Sequence, residues 1–141
     1  MSKVHKDFYG ALSCAFQFLD ERYGVDILDK FLKQVGRNCY KELISKINQC
    51  GLLALEEYWR KIFTLEGGEF EIFLDTDSIT LELRKCPAIL HLKSVGYPVY
   101  KDFCRQTRVI NGIIAGETGL GYSVESYQEE ARCIQKFWRI K

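Results

Sequence analysis

The sequence is poor in proline and histidine, with only two of each. Because prolines are rare and no segment is low in complexity, we expect a folded chain of regular elements. Two histidines are too few for a Ser–His–Asp set to be proposed from spacing. No apolar run approaches the ~18 residues that cross a bilayer, so no membrane-spanning helix is expected. Residues 1–7 are polar and lack the core of a signal peptide, so the expected location is the cytoplasm.

An excess of charge of one sign is also missing. The chain carries 20 basic and 19 acidic side chains, a formal net charge of +1. No basic run of five or more residues occurs, so neither nucleic acid nor a membrane is an expected partner. The length of 141 residues suits one domain with one core.

Cysteine is plentiful, with six residues, but no two of them have C-x-x-C spacing. That absence counts against a zinc ribbon and against a thioredoxin-type motif. Disulfides are not expected in a reducing compartment. We interpret Cys14, Cys39 and Cys50 as small core residues, because Cys39 falls on the apolar stripe of a predicted helix. Replacing them is predicted to change stability more than activity.

The first half of the chain has the period of amphipathic helices. Apolar residues recur every three or four positions in three segments. The predicted helices cover residues 8–23, 28–43 behind an Asp26 cap, and 52 to about 65. After Gly67 and Gly68 the period becomes two, which predicts a β-hairpin over about 69–84.

The helical pattern returns at the first proline. Cys86-Pro87 ends the second strand and starts a short helix, and Pro98 starts a longer helix to about Ala115. Three glycines then predict a loop at 116–121. Two final strands are predicted over 122–128 and 131–140.

The predicted fold class follows from this order of elements. It is α+β, with N-terminal helices followed by an antiparallel sheet of about four strands, arranged as β-hairpin, two helices and β-hairpin. We expect one domain over residues 1–141. Its helical part covers about 8–66, and its sheet- and cysteine-bearing part covers about 69–141.

Cys86 is the first candidate for chemistry, since it precedes the proline that starts a helix. Free N–H groups and the positive end of the helix dipole favour a thiolate at such a position. The alternative is a buried, inert cysteine at the end of a strand. His91 follows five residues later, about 140° around a helix axis. It is either an acid–base partner of Cys86 or an exposed polar residue.

Cys104 and Cys133 can reach Cys86 only through the fold. The helix that carries Cys104 can cover the sheet, and the last strand can pair beside the strand that ends at Cys86. We therefore predict that the three thiols converge in one small-molecule pocket, where they could hold a metal ion with one open position. The alternative is three separate core cysteines.

Several short motifs resemble a known family. They are Glu21-Arg22-Tyr23-Gly24 before a long helix, Cys86-Pro87 after a strand, Cys104 in the following helix, and Cys133 with Phe137 or Trp138 in the last strand. In these motifs the chain is similar to the L-2-amino-thiazoline-4-carboxylic acid hydrolase-like family. Its layout also resembles the 4-vinyl reductase small-molecule-binding domain.

The resemblance implies hydrolysis of a small cyclic amidine that carries a carboxylate, such as L-2-amino-thiazoline-4-carboxylate. The implied catalytic residues are Cys86, His91, Cys104 and Cys133. Cys86 would attack the amidine carbon, or a metal held by the three cysteines would activate water. The implied substrate-binding residues are Arg84, Arg108 and Arg132, any of which could pair with the carboxylate.

Two other functions stay open at this point. One is a non-enzymatic module that binds a small molecule in the same pocket. The other is a cysteine-based metal-binding sensor. The expected partner is a small molecule, with a homodimer as a further possibility.

Overall fold

The computed structural model describes residues 5–140, so residues 1–4 and residue 141 of the predicted domain lie outside it. The helices are α1 (Phe8–Tyr23), α2 (Val25–Cys39), α3 (Lys41–Cys50), α4 (Leu52–Glu66), α5 (Pro87–Val95) and α6 (Arg105–Thr118). The strands are β1 (Glu69–Leu74), β2 (Ser78–Lys85), β3 (Leu120–Tyr127) and β4 (Arg132–Arg139), with a 3-10 turn at Gln128–Glu130. The predicted α+β class, with helices first and a four-stranded antiparallel sheet, is confirmed.

The four strands form one antiparallel sheet in the order β1-β2-β4-β3. Alternate residues of β2 are buried, so one face of the sheet is apolar, and α4 and α6 cover it. Because β4 lies between β2 and β3, Cys133 stands opposite both Leu83 and Ser126. The last strand therefore runs beside the strand that ends just before Cys86.

The predicted second helix is wrong in one respect, because the chain divides it into α2 and α3 at Tyr40. The Tyr40 backbone leaves the helical region, with φ −112° and ψ 14°. Its ring packs edge-on against Tyr58 of α4, with the ring centroids 6.3 Å apart. The break lets Leu28 pack with α1 and α5, while Leu43 packs between the helices and the sheet.

The interpretation of Cys14, Cys39 and Cys50 as core residues is wrong, since all three are exposed. In α1 the inward position belongs to Ser13, which is 1% exposed. Cys39 and Cys50 are the last residues of α2 and α3, where the chain turns. If residues 28–43 formed one continuous helix, Cys39 would lie on its buried face. Because the helix breaks at Tyr40, Cys39 is exposed to solvent.

The segment between α5 and α6 is not helical from Pro98, as predicted, because α6 begins at Arg105. Ser13 Oγ donates to the Pro98 carbonyl at 2.8 Å and accepts the Tyr100 amide at 2.8 Å. The Tyr100 hydroxyl donates to Asp20 Oδ2 at 2.7 Å. These bonds to α1 satisfy backbone groups that a helix would otherwise pair.

The predicted glycine loop is also shorter than expected. Gly116 lies inside α6, and the helix ends at Gly119 in the left-handed region, with φ 72°. Gly121 already belongs to β3, where the indole of Trp138 leaves no room for a β-carbon. Only Gly119 therefore acts as the chain-reversing glycine that the pattern predicted.

Two apolar clusters fill the interior. The first lies between the sheet and helices α3, α4 and α6, and it contains Trp59 and Phe137. The second lies among α1, α2, α5 and the segment before α6, and it contains Phe16 and Phe103. Cys86 contacts both clusters, so the start of α5 marks the seam where they meet.

A bidentate ion pair between Asp29 and Arg105 joins α2 to α6. Arg105 Nε and Nη2 donate to the two carboxylate oxygens of Asp29 at 2.6 and 2.9 Å, and Arg105 Nη1 donates to Asp102. The hydrogen bonds from Arg105 hold the pKa of Asp29 below its ordinary value, against the opposing effect of burial. Asp29 therefore makes a pH-dependent contribution to stability.

We expect Asp29→Asn to lower the free energy of unfolding by about 1–2 kcal/mol at neutral pH, because charged hydrogen bonds contribute on that scale and both side chains are partly exposed. The folded pKa of Asp29 lies below the unfolded value, near 3.8. Its contribution is therefore complete above that value and is lost as pH falls through the lower folded pKa. Urea unfolding from about pH 5 down to about pH 2 should show the two proteins converging. A constant difference across that range would contradict this assignment.

Candidate functional site

A cavity of about 190 Å³, partly open to solvent, lies at the seam between the two clusters. Its wall is mainly apolar and receives side chains from α1, α4, α5, α6 and the sheet. The large apolar side chains of the wall include Tyr9, Leu55, Trp59, Phe63, Ile89 and Phe103. An engineered apolar cavity of about 150 Å³ holds benzene, so this cavity suits a molecule of one or two small rings.

The cavity wall includes Cys86, Cys104 and Cys133 together. Cys86 is the N-cap of α5, and its amide donates to the Ala131 carbonyl at 2.7 Å, two residues before Cys133. Cys104 is the N-cap of α6 rather than an interior helical residue, and its amide donates to Gln128 Oε1 at 3.1 Å. The turn before β4 therefore ties the starts of both helices to the strand that carries the third thiol.

Burial, rather than the helix start, controls the ionisation of these thiols. Desolvation raises the pKa of Cys86, although the amides of Ile89 and Ala88 oppose the shift. Burial also raises the pKa of Cys104 to about 12, with Cys86 and Cys133 adding to the effect. The pKa of Cys133 is raised to about 11, mainly by burial. Of the two interpretations of Cys86, this direction favours the buried, inert thiol over the thiolate, because desolvation outweighs what the helix amides contribute.

We expect the six cysteines to fall into two classes toward iodoacetamide near neutral pH. Cys14, Cys39 and Cys50 are exposed and should react fast. The three cavity thiols are partly buried and protonated, so they should react at least about tenfold more slowly. Timed labelling followed by peptide mass spectrometry measures both classes in one sample. Fast labelling of Cys86 in the folded protein would show that its thiol is activated after all.

His91 lies outside the cavity wall, and the partner of its ring is Asp7 rather than Cys86, which favours the interpretation of His91 as a polar residue away from the site. Its Nε2 atom lies 3.1 Å from Asp7 Oδ1, and its ring packs edge-on against Tyr97 at 6.2 Å. Cys86 is the N-cap of α5 and faces the cavity. His91 lies about 140° further around the axis of α5, so its side chain points toward α1 and the surface.

Arg132 borders the cavity, unlike the other two arginines predicted to bind a carboxylate. Its Nε donates to Glu130 at 2.5 Å, and its guanidinium lies over the Tyr127 ring at 4.2 Å. The side chain is largely exposed and already has an acidic partner. It therefore stands at the rim of the cavity rather than in its interior.

Arg84 and Arg108 are engaged elsewhere. Arg84 pairs with Glu71 at 3.0 Å on the face of the sheet that points away from the helices. Arg108 donates to Asp102 at 2.5 Å and lies outside the cavity wall. Its charge still acts on Cys104, whose pKa it lowers slightly against the larger effect of burial.

Tyr58 and Glu66 are among the polar residues of the wall that were not predicted from the sequence. Both extend the face of α4 that carries Leu55, Trp59 and Ile62, at spacings of three and four residues. An acidic residue that ends an apolar helix face is the signal that could have identified Glu66. Burial raises the pKa of Glu66 and also that of Tyr58.

A buried amide pair connects α6 to β4 at the cavity. Asn111 Nδ2 donates to Gln135 Oε1 at 2.9 Å, and Gln135 Nε2 donates to Cys133 Sγ at 3.5 Å. Both amides are less than a tenth exposed. They supply polar atoms within a wall that is mainly apolar, and Gln135 contacts the Cys133 side chain.

Within residues 5–140, no group of three or more histidine, cysteine, aspartate or glutamate side chains is arranged to hold a metal ion. The three thiols thus share a cavity without being grouped as metal ligands among these residues. They stand on three separate elements around open space, whereas direct zinc ligation requires Zn–S distances of about 2.3 Å.

Comparison of the chain with protein-family models, with curated proteins and with solved structures gives no match. The resemblance to the hydrolase-like family therefore rests on the short motifs quoted above. Among the described residues, no helix combines the length and apolar character that crossing a membrane requires.

Proposed function

We propose that the protein binds a small cyclic molecule reversibly in the cavity at the seam. The observation that carries this proposal is a cavity of about 190 Å³ with an aromatic and aliphatic wall and a few polar groups. Sites for small ligands have this composition, with apolar walls for affinity and single polar groups for orientation.

The ionisation of the wall favours binding over nucleophilic catalysis. The pKa values of all three thiols are raised, so at neutral pH they are weak nucleophiles. No histidine stands among the residues that line the cavity to accept a proton from them. A reducing compartment, which we propose as the location, would keep the thiols free. The homodimer stays a prediction from the sequence.

Hydrolysis of a cyclic amidine is the second candidate function. It is favoured by the presence of Cys86, Glu66 and Arg132 around one cavity. Glu66 could hold a proton for the leaving nitrogen, and Arg132 at the rim could pair with a substrate carboxylate. Water would be the co-reactant.

Isothermal calorimetry with benzamide as a neutral cyclic probe tests the binding proposal. We expect a one-to-one complex with a negative heat-capacity change, because apolar surface is buried. Incubation with L-2-amino-thiazoline-4-carboxylate, followed by chromatography, separates the two candidates. Turnover of this compound would favour the hydrolase, whereas stoichiometric retention without product would favour the binding module.

A further inference from the structure

Glu66 is an acidic group in the cavity wall, and it is only about half buried. It is the last residue of α4, one helical turn beyond Ile62 and two turns beyond Trp59, so its side chain extends the cavity face of the helix. Among residues 5–140, no hydrogen bond or ion pair satisfies its carboxylate. Its oxygens are reached by solvent, since no buried side-chain oxygen or nitrogen of the described residues lacks a hydrogen-bond partner. A cationic ligand in the cavity would therefore replace water at this carboxylate.

The surroundings of Glu66 also favour positive charge. The C-terminus of α4 carries the negative end of the helix dipole, and the last turn of that helix contains no basic residue. Phe63 and Trp59 present aromatic rings to the same cavity, and such rings attract cations. Three features of one helix end therefore select the same sign of charge.

From this arrangement we propose that the cavity selects a small flat ligand with a cationic nitrogen group, of the amidine or amine class, held by Glu66. The inference rests on the proposed binding function and names the ligand class for the same cavity. A cation here relieves the cost of a half-buried carboxylate, while a neutral ring of equal size gains only the apolar contacts.

Lys6 is the other titratable group that acts on Glu66, and Cys86 is a neighbouring group on which Glu66 acts. The charge of Lys6 lowers the pKa of Glu66 against burial, but its ammonium makes no ion pair with the carboxylate within 4.0 Å. Cys86 is a protonated thiol whose own pKa is raised, in small part by Glu66. Lys6 is therefore a competing cation that a ligand must outweigh, which gives the proposal a second test.

Benzamidine and benzamide provide matched probes, since they share a planar shape and differ in charge. We expect the wild-type protein to bind benzamidine about tenfold more tightly than benzamide in calorimetry. Glu66→Gln should remove that preference and leave benzamide binding within about threefold of wild type. Glu57→Gln, on the exposed side of the same helix, is the matched control and should keep the preference. Lys6→Gln should strengthen benzamidine binding and not benzamide binding.

The outcomes separate this inference from the proposed function. If both probes bind equally to wild type, or if Glu66→Gln keeps the preference, the ligand class is wrong while cavity binding stands. If neither probe binds, both proposals fall. If Glu66→Gln does not fold, the Lys6→Gln comparison decides, because an unchanged benzamidine affinity there overturns the assignment of Glu66.

Discussion

Cys104→Phe should weaken the binding of a ring-sized ligand by at least about a hundredfold. Cys104 lines the cavity from the start of α6, and the hydrogen bonds at that position are made by its backbone. Its amide donates to Gln128, and its carbonyl accepts the Thr107 amide at 3.1 Å. A phenyl ring can therefore enter the cavity without removing a hydrogen bond, and it occupies the space that a ligand needs.

Calorimetry with benzamide measures this loss, and chemical unfolding checks that the fold is intact. Because the new ring fills existing space, we expect the free energy of unfolding to stay within about 1–2 kcal/mol of wild type. Cys104→Leu should have an intermediate effect on affinity. Cys14→Phe makes the same substitution at an exposed position of α1 and should leave affinity unchanged. Undiminished binding by folded Cys104→Phe would place the ligand elsewhere on the protein.

The convergence of the three thiols follows from features that are local in the sequence. The Cys86-Pro87 junction predicts the end of a strand and the start of a helix, and the structure has both. The last strand has to pair with the sheet to bury Phe137, and its register places Cys133 opposite Leu83. Alternation of period along the chain thus predicted the fold class and the four strands, but not the division of the second helix at Tyr40.

The ionisation of the thiols could not be predicted in the same way. A helix start favours a thiolate, but desolvation depends on everything that packs around the sulfur. Cys86 touches both apolar clusters, and that burial comes from distant segments of the chain. Local sequence therefore indicated the favourable contribution at Cys86 and not the larger unfavourable one.

The break at Tyr40 shows a second limit of pattern reasoning. The apolar period continues across the break, so nothing in the spacing of Leu28 to Leu43 ends the helix. At the break the Tyr40 ring packs with Tyr58 of α4, a contact between residues that the local spacing does not connect. Glu66 differs from Tyr40, because its spacing from Trp59 and Ile62 does place it on the cavity face of α4. It was not predicted there because a charged residue is expected to face solvent.

The centre of the sheet makes the largest expected contribution to stability from one side chain. Phe137 lies in β4, an interior strand, and is 0% exposed. Its ring centroid is 5.9 Å from that of Trp59 in α4, and it stands opposite Ile79 of β2 and Tyr122 of β3. It therefore links the sheet to the helix that forms one wall of the cavity.

Phe137→Ala should lower the free energy of unfolding by about 3–5 kcal/mol, the loss of a large core ring together with the void that remains. Urea unfolding monitored by tryptophan fluorescence measures this change. Phe73→Ala removes the same ring from the edge strand β1, where it is 50% exposed, and should cost under about 1 kcal/mol. Equal losses in the two variants would contradict the assignment of the core. Domains of this kind are stable by about 5–15 kcal/mol, so the loss is a large fraction of the total. The Phe137 variant should also lose affinity for a cavity ligand, because Trp59 in the cavity wall then lacks the ring that it packs against.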